Sequence, residues 1–222
     1  MLKSSTKRLA TSGILLAMAT TVAAITTLIP FFSQAFGGSF TFGSMLPVVV
    51  ISYIYGVKWG LFASGTYAVI QIVMDLMMGK SSVILALFLP NSKDYMGAVA
   101  AIMILLIDYV IAYTVLGLGG IFRKKINAKP LSLALGSVVA LALRYLAHIV
   151  SGYIFYGAWA EWFFEQPENA WIGEKVLAIF SGNSLALVYS IVYNGLYMIP
   201  EIIVTAILAV IISRVPQVRA EA

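Results

Sequence analysis

The stretch LRYLAHIVSGYIFYGAW, Leu143–Trp159, closes a long apolar segment and carries Arg144 in mid-span and His148, the only histidine of the chain. Arg144, His148, Gly152 and Tyr156 recur at a spacing of four, so on a helix they share one face. A guanidinium, an imidazole, a bare backbone patch and a phenol on one stripe require a polar interior to face. Ionisable groups inside a bilayer are costly and mark functional sites by default. The stretch therefore reads as one wall of a small-molecule site inside a membrane bundle.

Composition supports that reading. Of 222 residues, 61% are hydrophobic and only 10% are charged, against roughly half and a quarter in soluble domains. Without cysteine there is neither a disulfide nor a thiolate metal site. The N-terminus is basic and then apolar, like a signal peptide. Its apolar run is long enough to span, and further spans follow, so it reads as a retained first helix.

The hydropathy pattern predicts an all-α integral membrane bundle of six helices in one domain, 1–222. Their approximate bounds are Leu9–Pro30, Leu46–Val57, Trp59–Met78, Ala98–Leu118, Pro130–Tyr156 and Leu185–Ser213. The second is short for a span. Helix 1 is rich in small residues. Gly13, Ala17 and Thr21 sit four apart, as do Ala19 and Ala23, and either face lets another helix approach closely, within this bundle or from a partner. The glycine-rich Gly37–Met45 is expected at the outer mouth. Residues 79–97 read as re-entrant or surface-lying, and 157–184 as an interfacial loop belted by Trp159, Trp162 and Trp171. Asp75 is expected at the outer rim, solvated. Pro200 predicts a kink.

With six helices both termini share a side. Ten of the fourteen Lys and Arg residues fall on that side, three on the other, and Arg144 lies within a helix. The positive-inside rule makes the terminal side cytoplasmic. The net charge of +5 is then a matter of topology and calls for no nucleic-acid partner.

Three helices bring polar groups to one depth. Asp108, His148 and Asn194 lie about eight to ten residues from the outer ends of their helices, with Tyr189 one turn above Asn194. At about 1.5 Å per residue that is roughly 12–15 Å below the outer surface. Asp108 offers an acceptor or a counter-ion; Tyr109, Tyr156 and Tyr189 can stack on a flat ring or hold a cation. Asn194 supplies a donor and an acceptor, and Gly152 leaves room between His148 and Tyr156. Together these suit a flat, heteroaromatic, cationic solute. Each residue alone has a plainer reading: a lone helical histidine is more often an interhelical hydrogen bonder, and tyrosines are often merely packed. Arg144 and Glu201, deeper and level with each other, are expected to form a structural ion pair. A hydrolase would need a serine activated by His148, and Ser151, 300° around the helix, is expected to point elsewhere. A stand-alone secondary transporter would commonly show an internal repeat, which the halves lack.

Four stretches carry a family likeness: GGSFTFGSMLP (37–47), LLIDYVIAYTVLGLGGIF (105–122), RYLAHIVSGYIFYGAW (144–159) and YSIVYNGLYMIPE (189–201). In these the chain resembles the thiamine-specific S-components of energy-coupling-factor (ECF) transporters. The resemblance implies a substrate-binding membrane subunit of a prokaryotic plasma membrane that is not an enzyme and carries no cofactor or metal. It implies thiamine, or a close analogue or another vitamin, as ligand. Its binding residues map to Asp108, Tyr109, His148, Gly152, Tyr156, Tyr189 and Asn194, where Asp108 stands in place of an expected glutamate and Tyr156 in place of a frequent tryptophan. The implied partners are a transmembrane coupling protein, docking on Gly13, Ala17 and Thr21 or on Ala19 and Ala23, and two cytosolic ATPases. The chain itself has no Walker motif.

Overall fold

The computed structural model describes residues 4–27, 29, 38–78 and 82–221. Pro30 and Gly37, named above, and Lys3 and Lys80, counted among the fourteen basic residues, lie outside the described residues. The described chain forms a helical bundle. Its elements are α1 (Ser4–Thr27), α2 (Leu46–Tyr55), α3 (Val57–Met77), α4 (Val83–Phe88), α5 (Ala98–Gly120), α6 (Lys129–Phe155), α7 (Ala160–Glu165), α8 (Ala170–Ile179), α9 (Gly182–Ile212) and α10 (Pro216–Glu221). Five of these (α1, α3, α5, α6 and α9) are long and apolar enough to cross a bilayer.

The sixth expected span is a half-helix. α2 has ten residues, about 15 Å of rise, half the thickness of a hydrocarbon core. The missing length is made up by residues 38–45, which run inside the bundle. Both carboxylate oxygens of Glu201, on α9, accept backbone N–H bonds from this segment, 2.7 Å from Thr41 and 2.8 Å from Gly43. Met45 Sδ meets the Arg144 guanidinium at 3.2 Å. The segment expected at the outer mouth is thus a wall of the interior. An irregular backbone at membrane depth is tolerated only where protein satisfies it, and Glu201, fully buried, does so here. The expected Arg144–Glu201 ion pair does not form: these backbone donors occupy the carboxylate.

Between lipid-facing helices the hydrophobic effect gives little drive, so close packing of small residues carries association. α5 ends in a 3₁₀ turn, Val115–Gly120, whose glycines lie against α2, α3 and α6. A Cβ at Gly136 would fall on the Gly119 carbonyl, and one at Gly117 on the Leu61 backbone. Ser52 Oγ donates to the Gly117 carbonyl and accepts from Gly120 N–H at 3.0 Å, tying α2 to the same turn.

α1 turns Leu16, Ala19 and Ala23 into the bundle. Its Ser12 accepts from Trp59 Nε1 at 2.9 Å, and Arg8 lies 4.0 Å over the Trp59 ring. Gly13, Ala17 and Thr21 stay exposed on the opposite face. The two candidate small-residue frames are thereby separated: one packs internally and the other is open.

The outer segments are more ordered than loops. Asp75 is no solvated rim residue. It accepts from Ser82 Oγ (2.6 Å) and from the amides of Ile84 (3.0 Å) and Val83 (3.3 Å), capping α4. Residues 157–184 fold as α7 and α8. Phe163 and Phe164 are buried, Phe163 edge-on to Tyr189 and Tyr193 at 5.3 and 5.7 Å, while Trp162 and Trp171 stay exposed. α9 runs unbroken through Pro200.

Candidate functional site

The centre of the site is a carboxylate on an unusual turn. Residues Leu105–Ile111 of α5 form a π-helix, which holds Asp108 and Tyr109. Such turns insert a residue, re-aim side chains and concentrate at functional sites. Asp108 Oδ1 accepts from His148 Nδ1 at 2.8 Å, and its Oδ2 accepts from Ser151 Oγ at 2.6 Å. Ser151 therefore points at the carboxylate, contrary to expectation. Three residues along a helix is 300°, only 60° short of a full turn, so His148 and Ser151 are neighbours.

Behind His148 lies Arg144, whose Nε donates to His148 Nε2 at 3.2 Å while its guanidinium stacks 3.9 Å over the Tyr113 ring. On the α9 side, Asn194 Nδ2 donates to the Ser190 carbonyl (2.8 Å) and to the His148 carbonyl (3.3 Å), and Tyr197 OH donates to Asn194 Oδ1 at 2.6 Å. Gly152 permits this crossing. A Cβ there would meet Ser190 Oγ and lie 3.2 Å from Asn194 Nδ2, so the missing side chain makes room for α9 as well as for the cavity.

All seven residues singled out in the sequence, Asp108, Tyr109, His148, Gly152, Tyr156, Tyr189 and Asn194, line one cavity of about 120 Å³, well beyond the ~10–15 Å³ that one water needs. Gly38, Ser39 and Thr41 close one wall, and Val83 of the Asp75-capped α4 another. Sequence reasoning passed over Tyr113, Tyr193 and Tyr197. Their signal was legible: Tyr109–Tyr113 and Tyr189–Tyr193–Tyr197 repeat at four, each a stripe on one helix face. The six phenols make the cavity an aromatic cage. Asp108 is its acceptor, because two oxygens with about four lone-pair sites leave capacity beyond His148 and Ser151. Both His148 nitrogens are engaged within the protein, one by Arg144 and one by Asp108, and the ring lines the cavity.

Fold and cavity define a class: a membrane-embedded binding protein whose polar, aromatic pocket lies within a helical bundle. The thiamine transporter protein family model matches residues 13–101 and 84–162, and the chain belongs to that family. It is 26% identical over 186 residues to the thiamine transporter ThiT of Bacillus subtilis (strain 168), covering 80% of this chain and 76% of that protein. A crystallographic structure of ThiT from Listeria monocytogenes superposes with a TM-score of 0.56 at 20% identity, covering 92% of this chain and 96% of that one, which establishes the shared fold.

Proposed function

We propose that this chain is the thiamine-binding membrane subunit of an ECF-type importer, taking thiamine from outside and handing it inward when partner ATPases act. The observation that carries the reading is the Asp108 carboxylate, held by His148 and Ser151 at the wall of a six-tyrosine cage, in a member of a thiamine transporter family. Thiamine joins an aminopyrimidine to a thiazolium cation. The cage supplies faces for both rings, since phenol faces attract cations, and Asp108 supplies a counter-charge. Beside the buried Arg144, the part-buried Asp108 presents its carboxylate at the cavity wall. A bound cation would meet that carboxylate.

The chain itself performs no chemistry in this scheme. The exposed Gly13, Ala17 and Thr21 face supports docking of a coupling protein by close helix approach, with two ATPases behind it. The clustering of Arg8 with Trp59, and of Arg123 with Gly56, gathers the basic ends at one side and supports cytoplasmic termini in a prokaryotic plasma membrane. Reconstitution into ATP-loaded vesicles tests the scheme. Uptake of radiolabelled thiamine is expected only with the coupling protein and ATPases present. Accumulation by the chain alone, driven by an ion gradient, would instead make it a secondary transporter.

A further inference from the structure

His148 sits between a cation and an anion, and the donors decide its state. Arg144 has no acceptor, so a bond from its Nε to His148 Nε2 requires Nε2 to carry a lone pair. The proton of the neutral ring must then sit on Nδ1, which faces Asp108 Oδ1 at 2.8 Å. We propose that Arg144 is a positioning residue that fixes His148 as the neutral Nδ1–H tautomer, so that the imidazole gives Asp108 a hydrogen bond and leaves its negative charge for the ligand. The alternative state, an imidazolium on Asp108, would neutralise the counter-charge inside the protein and compete with a cationic ligand.

The surroundings favour this arrangement. Arg144 is held on three sides, by His148, by Met45 of the 38–45 segment and by the Tyr113 ring. No carboxylate takes its charge, since Glu201 is bound to Thr41 and Gly43. The groups facing His148 are Asp108 and Tyr113 from α5, Arg144 from its own helix, and Asn194 and Tyr197 from α9, the last edge-on at 6.1 Å. Arg144, one turn away and cationic, opposes a second positive charge on the ring. Asp108 would invite one, and the Arg144 donor at Nε2 blocks the site where the extra proton would go.

Because His148 is the only histidine, protein labelled with ¹⁵N-histidine reports this one ring. In ligand-free protein we expect Nδ1 to be pyrrole-like with an attached proton and Nε2 to be pyridine-like, unchanged from pH about 8 to about 5. A protonated Nε2, an imidazolium at neutral pH, or two averaged nitrogens would overturn the proposal. In Arg144→Met the ring should become doubly protonated on acidification; a wild-type spectrum retained in acid would also overturn it. If that variant does not fold, the wild-type spectrum decides alone. A second readout rests on the thiamine reading. Wild-type affinity should be flat over this range, whereas Arg144→Met should weaken about tenfold per unit below pH ~6.5, the ordinary histidine pKa. The spectra need no ligand, so a failure of the thiamine assignment would leave them able to decide.

Discussion

Asp108→Ala is expected to weaken thiamine binding by about 100- to 1,000-fold. The variant removes the counter-charge for the ligand and strips both partners of it at once, leaving His148 Nδ1–H and Ser151 Oγ–H aimed at nothing. Removing one partner of a buried charged network costs about 3–5 kcal/mol, and each ~1.4 kcal/mol is tenfold in affinity. The lower end applies here because the Asp108 side chain keeps 18% exposure. Asp108→Asn separates charge from scaffolding. Its Oδ1 can still accept from His148, and the Ser151 hydroxyl can rotate to accept from the new amide, so the fold and melting temperature should hold. The loss of affinity should nonetheless persist, at about ten- to a hundredfold. Titration calorimetry of the three proteins measures this, and an Asp108→Asn protein that binds like wild type would remove the counter-charge from the account.

Glu201→Gln is expected to lower affinity by about ten- to a hundredfold without touching the ligand. The carboxylate accepts from two backbone amides at once. Glutamine has one acceptor oxygen and one donor group, so one of the two amides would face an NH₂ and lose its partner. A buried donor left unsatisfied costs about 1–3 kcal/mol. That cost falls on residues 38–45, which carry Gly38, Ser39 and Thr41 into the cavity wall and Met45 to Arg144. The wall should loosen, the melting temperature should fall, and thiamine should leave faster while its association rate stays close to wild type. Stopped-flow binding alongside a thermal melt distinguishes this from a simple folding defect. Unchanged dissociation would mean that the segment holds without its anchor.

The contrast between these two acids shows what the sequence could convey. The bundle was legible because long apolar runs are a strong one-dimensional signal, and five of them are long helices at nearly the expected bounds. Asp108, His148 and Asn194 were legible as one site because depth along a helix follows from counting residues. Glu201 was misjudged because equal depth and opposite charge suggest a pair with Arg144, whereas the competing donors are backbone amides of a segment 160 positions away. Nothing in GGSFTFGSM announces that it enters the bundle. The half-length of α2 was visible, but what completes the span was not. Asp75 was hidden for a similar reason: its partners are the Ser82 hydroxyl and two backbone amides at the start of a six-residue helix. Ser151 and the tyrosine ladder were different. Their spacing of three and four residues places them on the site's faces by helix geometry alone.

The most direct test of the account is the stoichiometry and affinity of thiamine for the purified chain in detergent, followed by intrinsic fluorescence, because Tyr156, Tyr189 and Tyr193 line the cavity and Trp159 packs on the same core. The account predicts saturable one-to-one binding without ATP or partners, absent for riboflavin and biotin. A folded protein that shows no thiamine response would contradict it, and the aromatic cage around Asp108 would then have to be matched to a different cation.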